Sequence, residues 1–469
     1  MKLDARKNLV FLFLLSLCII FLVSPVLFRN LNSDKYLIGD KSYFYLRLAG
    51  EIKENGIIPN EDYFSYGGRE FRDEWGWPYL LSFNPEFLSF YLPIILGILS
   101  FILFYIILNK FDYKLGVVSS LLFIISPSFI YLFSVSNKFS VSVFLSLLAI
   151  YLNLNNRKIL SLLCIPLIGF FSVLASILML LIYAVYNLYK KEHWHYLLIT
   201  LFLTLAVIYI QFGIISFKGL FFIKNNFALF LQNMISDFGG NFGIGIFMLL
   251  ISFIGVFFLW KNKYKHSFAY LLFIILFLLS YYFDFVIFYL NLLVAVLAGF
   301  ALIQLYEMKW EEDFIKKLVI FILICGLLFS SISFINRLVA DEPKKELQEG
   351  LYYLSRQPDD GVVFSHYSKG NLINYAGKKN LMDSNFFNAP DLYKRNKDSE
   401  TLLHSQNITV TFDLIKKYNI EYIFIDREMI SGLVWYDDNI ELLFILENDK
   451  GFKKVFDNDY VKIWKVLND

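Results

Sequence analysis

The stretch GDKSYFYLR at residues 39–47 indicates the kind of fold, because it follows a hydrophobic run at 9–28 and opens a long loop rich in aromatic residues. Membrane proteins rarely place an aspartate so near the end of a hydrophobic run without using it. Asp40 therefore predicts a site at the membrane surface, on the side that faces away from the cytoplasm.

The composition is that of a membrane protein with several spans. The chain has 469 residues, of which 57% are hydrophobic and 18% are charged, whereas a soluble globular domain carries about 25% charged residues. The net charge of +2 gives no indication of a nucleic-acid partner. The three cysteines lie inside apolar runs, so they form neither a disulfide framework nor a metal site. The first apolar run lacks a cleavage site and is interpreted as a retained helix.

Eleven apolar runs are long enough, or nearly long enough, to cross a bilayer, which requires about 20 residues in a helix. The runs lie at 9–28, 84–109, 115–134, 138–153, 158–171, 173–189, 195–216, 242–260, 267–283, 284–305 and 315–335. The pair at 158–189 could instead form one bent span and a re-entrant segment. The sequence therefore predicts a polytopic α-helical membrane protein of about eleven spans.

Lysine and arginine residues in the short loops indicate the orientation. With the N-terminus in the cytoplasm, the inner loops carry fifteen of these residues and the short outer loops carry three, at 138, 218 and 224. This alternation supports an odd number of spans in a multi-pass protein of the plasma membrane. Two long segments then face outside, at 29–83 and 336–469. We expect residues 1–335 to form a transmembrane domain and residues 336–469 to form an extracytoplasmic domain.

The C-terminal segment has the pattern of a small α/β domain. Short β-branched runs at 362–364 and 420–425 predict strands, and residues 452–466 predict a hairpin with its turn at 457–459. Residues 411–418 and 439–447 predict helices. The segment is long enough to bury a core of its own.

The start of the first outer loop predicts a helix at 41–55. Phe44, Leu48 and Ile52 recur at a spacing of four, and Gly56 is a stop signal. We expect this helix to lie at the membrane interface. Asp40 would then be its N-cap. Capping is one interpretation of this aspartate; the other is that its carboxylate points into a cavity as a metal ligand or a general base.

The end of the same loop combines tryptophans with acids. Trp75 and Trp77 stand beside Asp73 and Glu74 at a membrane boundary, which suits a sugar because aromatic rings stack on the C–H face of a pyranose. The alternative is an ordinary interfacial aromatic belt. Paired acids next to a span need a partner, and the arginine at 69 or 72 could fill that structural role.

These motifs, in this order, resemble a known family. GDKSYFYLRLA at 39–49 is followed by GIIPNED at 56–62, GGR at 67–69 and WGWPY at 75–79. The layout is similar to the first external loop of GT-C membrane glycosyltransferases, which use polyprenyl-phosphate-linked sugars. It resembles that of protein O-mannosyltransferases and of the catalytic subunits of oligosaccharyltransferases. The segments 236–243 and 370–426 also resemble later parts of the archaeal oligosaccharyltransferases.

The resemblance implies roles for individual residues. In that family the aspartate of the first loop is the central catalytic carboxylate, which assigns this role to Asp40. A polyprenyl-phosphate donor also needs a cation at the outer interface, for which Lys138 is the first candidate; a lysine snorkelling at a helix end is the alternative. The predicted substrate-binding residues are Asp62, Arg69, Asp73, Glu74, Trp75, Trp77, Lys138 and Lys224.

Three positions depart from the oligosaccharyltransferase pattern. The acceptor motif WWDYG is replaced by FSHYSKG at 364–370, the second acidic motif by SNKF at 136–139, and residues 217–226 contain no acid where that family has a glutamate. The resemblance implies a divalent metal, Mg²⁺ or Mn²⁺, as a cofactor. The departures favour a metal-independent transferase instead, with Asp40 as the base and no dedicated metal ligand.

The sequence as a whole predicts an inverting hexosyltransferase of the outer leaflet. Its partners would be the lipid bilayer, a polyprenyl-phosphate-linked sugar and an acceptor on a protein, glycan or lipid. A non-catalytic scaffold or accessory subunit with the same fold is the alternative. A transporter or flippase agrees less well, because the spans contain few ionisable residues and no inverted repeat is visible.

Overall fold

The computed structural model describes residues 2–32, 34, 36–71, 74–190, 194–212, 227–260, 263–264, 266–358, 361–385, 389–437 and 440–467. The chain divides into two compact units by its internal contacts. The first comprises Met1–Asn30, Glu74–Trp77 and Phe90–Ala340, and the second comprises Leu31–Asp73, Pro78–Ser89 and Asp341–Asp469. Most of the loop at 29–83, which the sequence assigns to the transmembrane domain, therefore groups with the C-terminal segment.

The first unit is helical. Its helices are α1 (Lys2–Leu31), α4 (Pro85–Asn109), α5 (Tyr113–Ile124), α6 (Pro127–Ser134), α7 (Lys138–Leu154), α8 (Lys158–Phe171), α9 (Val173–Lys190), α10 (Trp194–Phe212), α11 (Phe227–Met234), α12 (Ile246–Leu259), α13 (Ser267–Ser280), α14 (Val286–Glu307) and α15 (Asp313–Ala340), although the first residues of α4, up to Ser89, belong to the second unit. Among the described residues, five helices are long and apolar enough to cross a membrane, namely α1, α4, α10, α14 and α15. This is a multi-pass membrane protein.

The remaining apolar runs form shorter or bent helices. The run at 115–134 is not one straight helix: α5 and α6 meet at an angle of 63° and together could count as a sixth span. Pro127 disfavours the helical conformation of Ser126, the residue before it, so α5 ends here. Proline is well suited to the first position of a helix, and Pro127 starts α6. The helices α7, α8, α9, α12 and α13 are apolar but shorter than a typical span.

Small residues allow the helices of this unit to pack closely. A Cβ atom added at Gly299 of α14 would lie 2.1 Å from Oγ of Ser119 of α5, and one added at Gly255 of α12 would lie 2.2 Å from the carbonyl oxygen of Leu297. Glycine at such crossings lets two helices approach in an apolar medium. The centre of α14 is accordingly buried, and Val294, Ala295 and Ala298 are fully inaccessible to solvent.

The second unit combines the first loop with the C-terminal α/β segment. Its helices are α2 (Asp40–Asn55), α16 (Lys345–Ser355), α17 (Gly370–Tyr375), α18 (Leu392–Leu403), α19 (Ile408–Tyr418) and α20 (Glu441–Asn448), while α3 (Gly76–Ser82) straddles the two units. The strands are β1 (Val362–Phe364), β2 (Lys379–Asn380), β3 (Ile420–Asp426), β4 (Phe452–Asp457) and β5 (Val461–Val466). The predicted strands, the hairpin and the predicted helix at 411–418 are confirmed.

The five strands form one mixed sheet in the order β2-β1-β3-β5-β4. The strands β2, β1 and β3 run parallel, whereas β5 is antiparallel to both β3 and β4. The strand β3 is the central one of the five. Its residues 422–426 are all buried, as expected for a strand that is covered on both faces. Trp435, Trp464 and Phe364 are among the largest side chains of the core.

The helix α2 begins one residue earlier than predicted and ends at the predicted glycine. Gly56 has a φ of 77° and is the C-cap, as expected for a glycine that terminates a helix. The aromatic residues of α2 were expected at the membrane interface, but they pack on protein. The ring of Tyr43 lies 5.1 Å from that of Tyr375, and the ring of Phe44 lies 6.1 Å from that of Phe71.

Candidate active site around Asp40

Asp40 is the first residue of α2 and contacts the C-terminal segment of the second unit. The prediction that it caps α2 is wrong, because Gly39 is the N-cap and no side chain caps this helix. The carboxylate is turned towards α17 instead. Oδ1 accepts a hydrogen bond from the backbone N–H of Leu372 at 3.1 Å, and Oδ2 accepts from Nδ2 of Asn371 at 2.6 Å and from Oγ of Ser384 at 2.8 Å.

The three partners of the Asp40 carboxylate in the described part of the chain are neutral. Burial raises the pKa of Asp40 to about 7, and the hydrogen bonds from Ser384, Asn371 and Leu372 oppose this increase without cancelling it. A carboxylate offers about four lone-pair positions, of which these contacts fill three. The remaining position on Oδ1 and a pKa near neutrality are what a general base requires.

Asp62 and Arg69, both predicted to bind substrate, are joined to each other inside the second unit. Nη2 of Arg69 lies 2.7 Å from Oδ2 of Asp62, and its Nη1 lies 2.9 Å from Oδ1 of Asp383. Arg47 is bidentate on Asp62 at 3.0 and 2.7 Å. Burial alone would raise the pKa of Asp62, but Arg47 and Arg69 outweigh it and hold this pKa below its usual value. The network connects α2 and the first loop to the segment that follows β2.

Glu74 and Lys138 form a half-buried ion pair in the first unit. Oε1 of Glu74 also accepts a hydrogen bond at 3.3 Å from the backbone N–H of Val173, the first residue of α9, where an anion is favoured by the helix dipole. The structure thus brings together the predicted phosphate-binding cation and one of the predicted acids. Trp75 is half-buried, whereas the Trp77 side chain is fully buried. Asp73 and Lys224 lie outside the described residues.

A cluster that the sequence did not reveal lies at the end of β3. Nζ of Lys369 contacts the carboxylates of Glu342, Asp426 and Glu428, at 2.9 Å from Asp426 and 2.7 Å from Glu428. Burial alone would lower the pKa of Lys369, but the three carboxylates raise it. The hydroxyl of Tyr460 donates a further hydrogen bond of 2.7 Å to Glu342. These residues are dispersed from 342 to 460, so no local motif indicated that they meet.

Solved structures with the same fold identify the architecture. The chain is similar to the oligosaccharyltransferase of Archaeoglobus fulgidus in its apo form, with 14% identity and a TM-score of 0.64 over 94% of this chain and 73% of that one. It is also similar to ArnT from Cupriavidus metallidurans bound to undecaprenyl phosphate, with 12% identity and a TM-score of 0.53 over 98% of both chains. The chain has the GT-C fold.

The match is one of structure and not of sequence. No protein-family model matches the chain, and no curated protein sequence matches it significantly. A second structure of the Archaeoglobus fulgidus enzyme, in complex with an inhibitory peptide and a dolichol-phosphate, has a TM-score of 0.57 and 14% identity over 89% of this chain and 70% of that one. Both neighbours are thus GT-C proteins that have been seen with a polyprenyl phosphate.

The donor set of this GT-C chain does not fit a preformed divalent metal site. Within the described part of the second unit, the groups bonded to Asp40 are two neutral side chains and a backbone amide, all of which donate hydrogen bonds. A hard cation needs oxygen ligands with lone pairs in those directions. The other acidic group, at Glu342, Asp426 and Glu428, already surrounds the ammonium of Lys369.

Proposed function

We propose that this protein is an integral membrane glycosyltransferase that moves a sugar from a polyprenyl-phosphate carrier to an acceptor on the outer face of the membrane. The GT-C fold over nearly the whole chain supports the general reaction. The acceptor would be a protein, glycan or lipid, and a peptide acceptor agrees with the oligosaccharyltransferase-like architecture.

The observation that carries the proposal is the Asp40 carboxylate, whose pKa is about 7 because it is buried among neutral donors. In the reaction, an acceptor hydroxyl oxygen forms a bond to the anomeric carbon of the sugar. The bond between that carbon and the carrier phosphate oxygen breaks, and the phosphate leaves with the electron pair. Asp40 takes the proton of the hydroxyl. A single displacement of this kind inverts the anomeric centre.

The remaining predicted residues take supporting roles in the proposal. Lys138 binds the donor phosphate, with Glu74 holding its ammonium in place before the donor arrives. Trp75 contacts the sugar, while Asp73 and Lys224 contribute to donor binding. Asp62 and Arg69 act through their ion pairs, which fix the first loop against the C-terminal segment.

The proposed topology follows from the basic loops. The eleven apolar runs cross the plasma membrane, the N-terminus is cytoplasmic, and the loop at 29–83 and the segment from 336 to 469 are extracytoplasmic. The shorter helices α7, α8 and α9 are shielded by their neighbours in the bundle. This arrangement places Asp40 on the outer side, where the proposed donor presents its sugar.

A non-catalytic scaffold is the second candidate, and one observation favours it. The hydrogen bonds of Asp40 to Asn371, Leu372 and Ser384 tie α2 to α17. A carboxylate with this structural function alone would serve a protein that has the fold and lacks the activity.

Sugar transfer by purified protein distinguishes the two candidates. The substrate is a radiolabelled pool of polyprenyl-phosphate sugars, offered with peptide, glycan and lipid acceptors in the presence and absence of a chelator. We expect Asp40→Asn to reduce transfer about 10²- to 10⁴-fold, the usual contribution of a general base. The chelator should leave the wild type active.

The matched control is Asp413→Asn, the same chemical change at an exposed aspartate of α19. It should transfer sugar like the wild type, and thermal unfolding should show that all three proteins are folded. Full activity of Asp40→Asn would remove Asp40 from the mechanism. A folded wild type that transfers no sugar from any donor would establish the scaffold instead.

A further inference from the structure

A second site lies in the first unit, between α1, α5, α14 and α15. These helices enclose a cavity of about 870 Å³. Most of its lining is aliphatic and includes Val118 and Leu121 of α5, the α5 C-cap Ile125, Leu302 of α14, and Ile324 and Leu328 of α15. The volume is that of a ligand site, and nothing in the proposed transfer reaction uses it.

The mouth of the cavity is basic. Arg6 and Lys7 of α1 and Lys114 of α5 line it together with a single carboxylate, that of Glu307 at the end of α14. Nζ of Lys114 lies 2.5 Å from Oε1 of Glu307, and Nζ of Lys7 lies 5.3 Å from the centre of the Tyr113 ring. Three cations and one anion among the lining residues leave a net charge of +2 at the mouth.

The depth of the cavity matches one leaflet of a bilayer. Lys114 of α5 at the mouth and the α5 C-cap Ile125 at the far end are eleven residues apart, which corresponds to about 16 Å of helix. Half of the hydrocarbon core is about 15 Å. A ligand that fits must therefore have an anionic head at the helix ends and an apolar tail that reaches the middle of the membrane.

We propose that this cavity binds an anionic phospholipid from the leaflet at the N-terminal end of α1, which is the cytoplasmic leaflet in the proposed orientation. Its headgroup phosphate contacts Arg6, Lys7 and Lys114, and an acyl chain fills the aliphatic part. Basic pockets between membrane helices on this side are suited to anionic headgroups. The site is distinct from the proposed transfer site, because all of its lining residues belong to the first unit, whereas Asp40 belongs to the second.

Lipid retention by the full chain tests the proposal. The protein is purified in a neutral detergent and reconstituted into nanodiscs of phosphatidylcholine with a minor fraction of phosphatidylglycerol, and the phospholipid that remains bound after delipidation is measured by native mass spectrometry. We expect the wild type to retain phosphatidylglycerol in preference to phosphatidylcholine. The double variant Arg6→Gln/Lys7→Gln should lose this preference about tenfold.

Two further variants make the result specific. The double variant Lys110→Gln/Arg157→Gln removes two positive charges from other loops that are also predicted to face the cytoplasm. It should retain phosphatidylglycerol like the wild type. Glu307→Gln removes the only carboxylate among the lining residues and should strengthen retention. Equal retention of both lipids by the wild type would overturn the proposal, as would an equal loss in both double variants. Preferential retention of an added polyprenyl phosphate over phosphatidylglycerol would also overturn it, because the cavity would then be a carrier site.

Discussion

Two carboxylate sites in the second unit are both at least partly buried, yet they are built on opposite principles. Asp40 is held by an amide side chain, a hydroxyl and a backbone N–H. The acids at the end of β3, by contrast, surround the ammonium of Lys369. Neutral donors stabilise a carboxylate without supplying a charge, whereas an ammonium compensates the negative charge of the acids around it.

The difference separates a site that can move a proton from one that holds the fold. Burial raises the pKa of Asp40 to about 7, so the proton is gained and lost near neutral pH. Lys369 has a raised pKa and stays charged. Burial and the neighbouring Asp426 raise the pKa of Glu342 to about 8, and this carboxyl holds a hydrogen bond from Tyr460. Both oxygens of Glu342 are engaged, one by the ammonium of Lys369 and the other by the hydroxyl of Tyr460, so this carboxyl holds the fold, whereas Asp40 has the arrangement proposed for a general base.

Removing the cation should produce the largest change in stability. Lys369→Met leaves Asp426 and Glu342 buried without compensation, and breaking a buried ion pair in this way costs about 3–5 kcal/mol in the free energy of unfolding. Chemical denaturation of the full chain, followed by tryptophan fluorescence, measures the loss. Protonation removes the uncompensated charges, so the difference from the wild type should shrink as the pH falls from 8 to 5.

The control for this variant is Lys450→Met, which removes an exposed lysine of the turn before β4. Its free energy of unfolding should stay within about 0.5 kcal/mol of the wild-type value. A Lys369→Met protein as stable as the wild type at pH 8 would show that the acids are protonated in the native state, and the contrast between the two clusters would then disappear.

The sequence predicted most elements of both units but not how these clusters are assembled. Apolar runs and β-branched segments depend on local periodicity, and each predicted run contains a helix while each predicted strand is present. The loop motif also pointed to Asp40, whose catalytic role stays a prediction. Its role as the N-cap of α2 was wrong, because Gly39 with a φ of 79° takes that position and turns the carboxylate away.

Partners that are distant in the sequence could not be predicted from local patterns. Asn371 and Ser384 belong to a short helix and a turn more than 300 residues from Asp40. Arg69 was considered as a partner for Asp73 and Glu74, but its ion-pair partners among the described residues are Asp62 and Asp383. Glu74 forms its ion pair with Lys138, which lies 64 residues further along the chain. Tertiary packing, not local propensity, determines these pairs.

The pH dependence of sugar transfer tests the role of Asp40, the carboxylate that is held by neutral donors. Asp40 as a base must be ionised, so kcat/KM should rise with pH, reach half of its maximum near pH 7, and fall about tenfold for each unit below that. The folded pKa lies above the ordinary value of 3.8. Asp40 therefore destabilises the fold progressively as the pH rises from about 4 to 7.

Asp40→Asn removes that pH-dependent cost, so the thermal midpoint of the variant relative to wild type should be higher at pH 8 than at pH 4. The change leaves an amide that can still accept from the N–H of Leu372. A flat rate profile between pH 5 and 8 for the wild type would rule out Asp40 as the titrating base, as would an unchanged stability difference between the two proteins across that range.

Ser384→Ala should produce the smallest and most specific effect. The hydroxyl of Ser384 donates to Oδ2 of Asp40 and favours the ionised carboxylate. Removing a hydrogen bond to a charged group costs about 1.5 kcal/mol, which corresponds to a rise of about one unit in the pKa of Asp40. The midpoint of the rate profile should move upwards by that amount while the maximal rate at high pH is retained. Ser384→Thr keeps the hydroxyl and should keep the wild-type midpoint. If Ser384 only supports the fold, the alanine variant should have a lower thermal midpoint and an unchanged pH profile. The two measurements therefore distinguish an effect on the pKa of Asp40 from an effect on stability.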